Sequence, residues 1–116
     1  MMARGTVWLA ALPAGADGEQ SQMRSVVVVS NEAANGTAQR LGRGAVSVVP
    51  LSPDVDHVMS FHVLLDAGTV GLPYATKAQA EQVRTVEVSR LLRRLGALTP
   101  AARLQLDAAL RLHLGL

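Results

Sequence analysis

Short apolar runs separated by turn-forming residues dominate the first two-thirds of the chain, and this spacing predicts strands. Residues 4–11, RGTVWLAA, form the first run. Residues 12–22 hold Pro13, Gly15, Asp17 and Gly18 and read as a loop. Residues 24–30, RSVVVVS, carry four consecutive valines. β-Branched residues favour strands, and the lack of alternation implies a strand covered on both faces. Asn31, Asn35, Gly36, Gly42 and Gly44 mark residues 31–44 as a further connecting loop. Residues 45–51, AVSVVPL, read as a third strand, with Pro50 suited to a strand end or edge because it cannot donate to a ladder. After a polar turn at 53–60, Phe61, Val63 and Leu65 alternate with His62 and Leu64 in another strand. Gly68 and Gly71-Leu72-Pro73 mark a turn; 75–86 and 91–98 read as two more strands, parted by a helical turn near 87–90.

The final element is helical. Thr99 is a good N-cap and Pro100 suits the first helical position, where a missing N–H costs nothing. Leu104, Ala108 and Leu112 predict the inward stripe, Leu106, Leu110 and Leu114 widen it, and Gly115 closes the helix. Several short strands with one terminal helix predict a mainly β fold with α: a small, highly curved barrel.

Composition narrows the class. At 116 residues the chain fits one domain spanning 1–116 and can bury a core without staples. Hydrophobic residues make up 49% and charged residues 17%, which is globular rather than disordered. The absence of cysteine excludes disulfides, thiolate metal sites and Cys nucleophiles, and suits a reducing cytosol. Net charge is only +2, so no strong polyanion field covers the surface, yet ten of the eleven basic residues are Arg and only Lys77 is Lys. Arg suits bidentate phosphate contacts; GC-rich coding also produces such a bias. The apolar run from Val7 to Leu12 is shorter than a signal-peptide core, and no segment approaches the ~20 apolar residues of a membrane span. A cytoplasmic location is expected.

Four blocks in order resemble the MazF/PemK toxins. RGTVWLAAL at 4–12 is similar to the family's opening strand. GEQ at 18–20, Arg24 and VVVVSN at 26–31 resemble its second block, and VVPLS at 48–52 the next. AEQVRTV at 80–86 with SRLLRRLGALTP at 89–100 resembles the closing block, and the helix ending LHLGL also fits. Thr6 stands where the family usually has an acid, Ser25 where it usually has Pro, and Asp17-Gly18 where Gly-Ser usually precedes the Glu. The resemblance implies an SH3-like barrel, a homodimer and a toxin of a type II toxin–antitoxin system. It implies an mRNA interferase, cutting single-stranded RNA at short motifs without a metal or other cofactor and neutralised by a cognate antitoxin protein. It carries the catalytic Arg to Arg24 and the catalytic hydroxyl to Ser52, with Glu19, Gln82 and Arg84 as candidate RNA contacts.

The residues themselves permit that site. If strands 24–30 and 45–52 pair antiparallel with Arg24 opposite Ser52, then Ser30 opposes Val46, and both candidate side chains meet on one face at one rim, beside the loop carrying Glu19. Arg24 can stabilise charge on a phosphorane, Ser52 can hydrogen-bond a phosphoryl oxygen, and Glu19 can position the ribose or act as base. Taken singly, Arg24 reads as a solvated charge, Ser52 as a strand end, and Glu19, Gln82 and Arg84 as surface. Asp54, Asp56, His57 and His62 match no standard metal spacing. Trp8 reads as core, which leaves base recognition to hydrogen bonds from loops. Two alternatives remain: a non-catalytic, CcdB-like gyrase poison, whose typical Trp-Gly-Ile tail is replaced here by Leu114-Gly115-Leu116, and a degenerate member that only binds the antitoxin.

Overall fold

The computed structural model describes residues 2–13 and 22–116. Among them the elements run β1 (Thr6–Leu12), β2 (Gln22–Val28), α1 (Glu32–Leu41), β3 (Ala45–Ser52), β4 (His62–Leu65), β5 (Thr76–Gln79), β6 (Arg84–Glu87), β7 (Leu91–Ala97) and α2 (Pro100–Leu114). One-turn 3-10 helices stand at Ala80–Gln82 and Val88–Arg90.

The four valines show why the sheet needs cover on both faces. Val27 belongs to one core with Val7, Val49, Leu51, Val63, Leu65 and α2 residues Leu106 and Ala109, and Val29 packs against it. Val26 and Val28 belong to a second core with Ala10, Leu12, Val46, Val48, Val86 and Ala38 of α1. Alternate side chains of one strand therefore feed two separate clusters. Trp8 packs half-buried on the second, its Nε1–H donating to Thr6 Oγ1 at 2.9 Å.

Strand pairing is antiparallel along the path β4-β5-β3-β2-β1-β7, with β6 on β3. β3 is the hub. Ala45–Val48 face β6, Val48–Pro50 face β2, and Leu51–Ser52 face β5. The sheet curves like a barrel without closing, and the turn after β4 bridges towards the far edge. There a Cβ on Gly71 would stand 1.9 Å from Leu95 O of β7, and one on Gly96 would stand 2.7 Å from Val70 O. Only glycine permits so close a backbone crossing.

The structure corrects three expectations. Residues 31–44 are not a loop: they hold α1, with Asn31 as N-cap accepting from the Ala34 N–H at 2.8 Å and Gly42 in the left-handed C-cap. Asn35, which reads as a turn residue, is buried in that helix, where its Nδ2 donates to Ser30 O at 2.8 Å. The predicted strand 75–86 is two strands broken by the turn at Ala80–Gln82. Pro50 meets its expectation: it is fully buried near the end of β3, on the edge between the β6 ladder, which ends at Val48, and the β5 ladder, which begins at Leu51.

The third correction concerns α2. Thr99 caps it, Pro100 opens it and Gly115 closes it as expected. Its inward stripe is Leu106 and Ala109, flanked by Ala102 and Leu110, while Leu104, Leu112 and Leu114 are exposed. Leucines occupy several faces of this helix, and the small alanines let one of those faces approach the sheet closely.

Candidate active site

The ladder between β2 and β3 pairs Val26 with Pro50, Val27 with Val49 and Val28 with Val48. Carried two residues further, this register sets Arg24 level with Ser52, as the sequence predicts. β1 and β5 extend the row: Ala10 pairs with Arg24, and Ser52 pairs with Lys77. Arg24 also continues the Val28-Val26 face of β2, so it stands where the second core ends and solvent begins.

The guanidinium is fixed. Arg24 Nη2 donates to Leu51 O and to Gln79 Oε1, both at 2.9 Å. Leu12, Pro13, Gln22, Arg24, Pro50, Gln82 and Arg84 line a cavity of about 240 Å³. Half-burial and the nearby Arg84 cation lower the pKa of Arg24 from its ordinary value, burial being the larger cause. Among the described residues, neither arginine of this cavity forms an ion pair. Among the described residues, the pocket thus holds positive charge that no carboxylate pairs, which suits an anionic ligand such as a phosphodiester.

The structure brings Arg24, Gln82 and Arg84 together. Ser52 stands at the rim of this group, next to the carbonyl that Arg24 grips, and its Oγ accepts from the Asp54 N–H at 3.2 Å. Glu19 lies outside the described residues. Gln79 is a site residue that sequence reasoning missed. Lys77, its neighbour on the same face of β5, is buried and donates through Nζ to His57 O at 2.6 Å, tying down the 53–60 segment.

Of Asp54, Asp56, His57 and His62, the side chains of His62 and Asp54 are engaged by hydrogen bonds within the fold. His62 accepts the Met59 N–H at Nδ1 (3.0 Å), which leaves the proton on Nε2, 2.8 Å from Glu81 Oε2. Asp54 Oδ1 accepts the Asp56 N–H at 3.2 Å within the turn.

Residues 3–114 match the model of the PemK-like, MazF-like toxins of type II toxin–antitoxin systems. The chain belongs to this family. As a MazF-like protein it is the toxin member of a type II toxin–antitoxin pair. Among curated relatives, the Mycobacterium tuberculosis endoribonuclease MazF9 is 48% identical over 116 residues, covering all of this chain and 98% of the relative. MazF from Deinococcus radiodurans shares the fold with a TM-score of 0.79 at 21% identity, covering 98% and 96% of the two chains. A mycobacterial endoribonuclease solved with its cognate antitoxin matches with a TM-score of 0.74 at 24% identity, covering 98% and 95%. A CcdB-like gyrase poison is not favoured, since the family match and the 48% relative both fall on MazF-like toxins. No helix among the described residues is long and apolar enough to cross a membrane.

Proposed function

We propose that this MazF-like toxin is an endoribonuclease that cuts single-stranded RNA at short sequence motifs, without a metal, at Arg24. The observation that carries this reading is the guanidinium held in the lining of a cavity, with a second arginine in the same lining, by acceptors that do not neutralise it. The ribose 2′-oxygen attacks the adjacent phosphorus, and its proton leaves to a base. The bond to the 5′-oxygen breaks, and that oxygen takes up a proton. The products are a 2′,3′-cyclic phosphate and a 5′-hydroxyl. Arg24 stabilises the charge that grows on the phosphorane oxygens. Its lowered pKa also makes it a readier proton donor to the departing oxygen than an ordinary arginine. Ser52 hydrogen-bonds a phosphoryl oxygen from the rim. Gln82 and Arg84 hold the neighbouring nucleotide, and Glu19 positions the ribose or takes the proton.

The toxin is cytoplasmic, where its RNA is, and is neutralised by a cognate antitoxin protein. It works as a homodimer: Leu104, Leu112, Leu114 and Leu116 at α2 and Leu64 on β4 are all exposed, more apolar surface than an isolated small protein ordinarily leaves wet. Cleavage of an unstructured RNA in EDTA, with Arg24→Ala and Ser52→Ala alongside, tests the enzyme claim. Discrete cuts that the Arg24 variant loses support it; no cutting by correctly folded protein sinks it. A monomer by light scattering would remove the dimer.

A further inference from the structure

We propose that Gln79 is a positioning residue for RNA cleavage, aiming Arg24 into the pocket with an uncharged acceptor so that the cation stays available to the scissile phosphate. The inference rests on reading Arg24 as the group that meets that phosphate.

The geometry starts with the break in the β5–β6 segment. β5 pairs with the end of β3 and β6 with its beginning, and the one-turn helix Ala80–Gln82 steps along the edge between them. In an unbroken strand, residues 79 and 82 would face opposite ways. The helical turn resets the alternation, so Gln79 before it bonds the Arg24 guanidinium, while Gln82, its last residue, lines the cavity beside that guanidinium.

Arg24 is held at one nitrogen. Nη2 carries two hydrogens, and Leu51 O and Gln79 Oε1 accept one each. The three N–H groups on Nε and Nη1 are not used by these contacts. The backbone carbonyl alone leaves the guanidinium free to swing about a single bond; the amide supplies the second point that fixes its direction. A second point is needed because Arg84 repels Arg24 across the cavity.

The chemical type of that second point matters as much as its place. A carboxylate there would make a stronger, charge-assisted bond and would hold Arg24 at least as well. It would also compete with the phosphate for the same cation. A carboxylate is close by: Glu81 is two residues along the chain. The fold turns it to His62 Nε2 at 2.8 Å, and that pair takes no part in the hydrogen bonds of Arg24. Among the described residues, the amide at 79 and the diverted carboxylate at 81 together leave the charge of Arg24 unspent.

Two near-isosteric substitutions separate aiming with charge preservation from simple tethering. Gln79→Glu keeps the acceptor and adds charge; Gln79→Met removes the acceptor and adds none. Steady-state cleavage of a single-stranded RNA in EDTA is measured for the full-length protein and both variants, with Arg24→Ala as the reference and thermal melting as the fold check. The order expected is wild type, then Met, then Glu. The Glu variant should lose about tenfold or more in kcat relative to the Met variant with KM little changed, because the loss falls on transition-state charge stabilisation. If melting shows the Met variant unfolded, Gln79→Ala takes its place in the same comparison. A Glu variant as active as the Met variant or more so would reduce Gln79 to a structural tether, and two variants within about twofold of wild type would remove it from the reaction altogether. Failure of the underlying reading looks different: the wild type cuts nothing, or Arg24→Ala cuts as well as wild type, and then this inference falls with it.

Discussion

Two arginines sit at opposite ends of β2, and the fold treats them in opposite ways. Arg4 stands near the end of the strand that Val29 continues, Arg24 near its start. Each donates to a backbone carbonyl of a neighbouring segment: Arg4 Nε to Val29 O, Arg24 Nη2 to Leu51 O, both at 2.9 Å. The second partner differs. Arg4 Nη2 meets Asp107 Oδ1 of α2 at 2.7 Å, while its own backbone N–H donates to Glu32 Oε1 of α1 at 2.8 Å. Arg24 meets the amide of Gln79 instead, with Arg84 close enough to lower its pKa. The charge of Arg4 is paired, and it ties β1, the end of β2 and α2 together. Among the described residues, the charge of Arg24 is held but not paired. An arginine that clamps elements gains from a carboxylate; one that must act on a phosphodiester would lose its function to the same partner.

The comparison breaks most visibly at Arg24. Arg24→Ala should lower kcat by about a hundredfold or more, the scale of losing one principal stabiliser of transition-state charge. Its melting temperature should hold or rise, because removing a half-buried cation beside Arg84 relieves a cost. Paired cleavage and melting assays check both halves.

Ser52→Ala comes next. Loss of one neutral hydrogen bond to a phosphoryl oxygen should reduce kcat by roughly tenfold. Only the Asp54 N–H loses a partner in the described structure, so stability should barely change. A single-turnover assay separates this from slower product release.

Arg4→Met should give the converse pattern. Breaking a partly exposed pair and one carbonyl contact should cost about 1 kcal/mol, or several degrees in melting temperature for a chain of this size. Cleavage below that temperature should be unchanged.

Gln82→Ala should have the smallest effect, a rise in KM of about threefold, as expected for an exposed polar contact made equally in ground and transition states. A change confined to kcat would move Gln82 from RNA binding into the chemistry.

What the sequence made legible follows its periodicity. Four adjacent valines announced a strand covered on both faces, and the register assumed for Arg24 opposite Ser52, which the loop between the strands permits, is the one the observed ladder extends to. α1 was hidden because Asn35 and Gly36 sit mid-helix, where both residue types ordinarily mark turns. Only the structure shows Asn35 satisfied by Ser30 O in the interior. In α2 the caps were readable but the buried face was not: leucine appears on several faces, and the sheet chose the face with Ala109. Gln79 was hidden by the same logic that exposed Gln82 and Arg84. Those two alternate about Val83 in a straight strand, and the helical turn at Ala80–Gln82, which no residue in AEQ advertises, brings Gln79 to the same guanidinium.

The central claim is that Arg24, which no described carboxylate pairs, works and the paired Arg4 holds. The most direct measurement is cleavage of one unstructured RNA in EDTA by the wild type, Arg24→Ala and Arg4→Met at equal concentration, each with its melting curve. The account predicts that wild type and Arg4→Met cut at the same positions and rates, that Arg24→Ala does not cut, and that only Arg4→Met melts earlier. Cutting by a folded Arg24→Ala protein, or loss of cutting with Arg4→Met below its melting temperature, would contradict it.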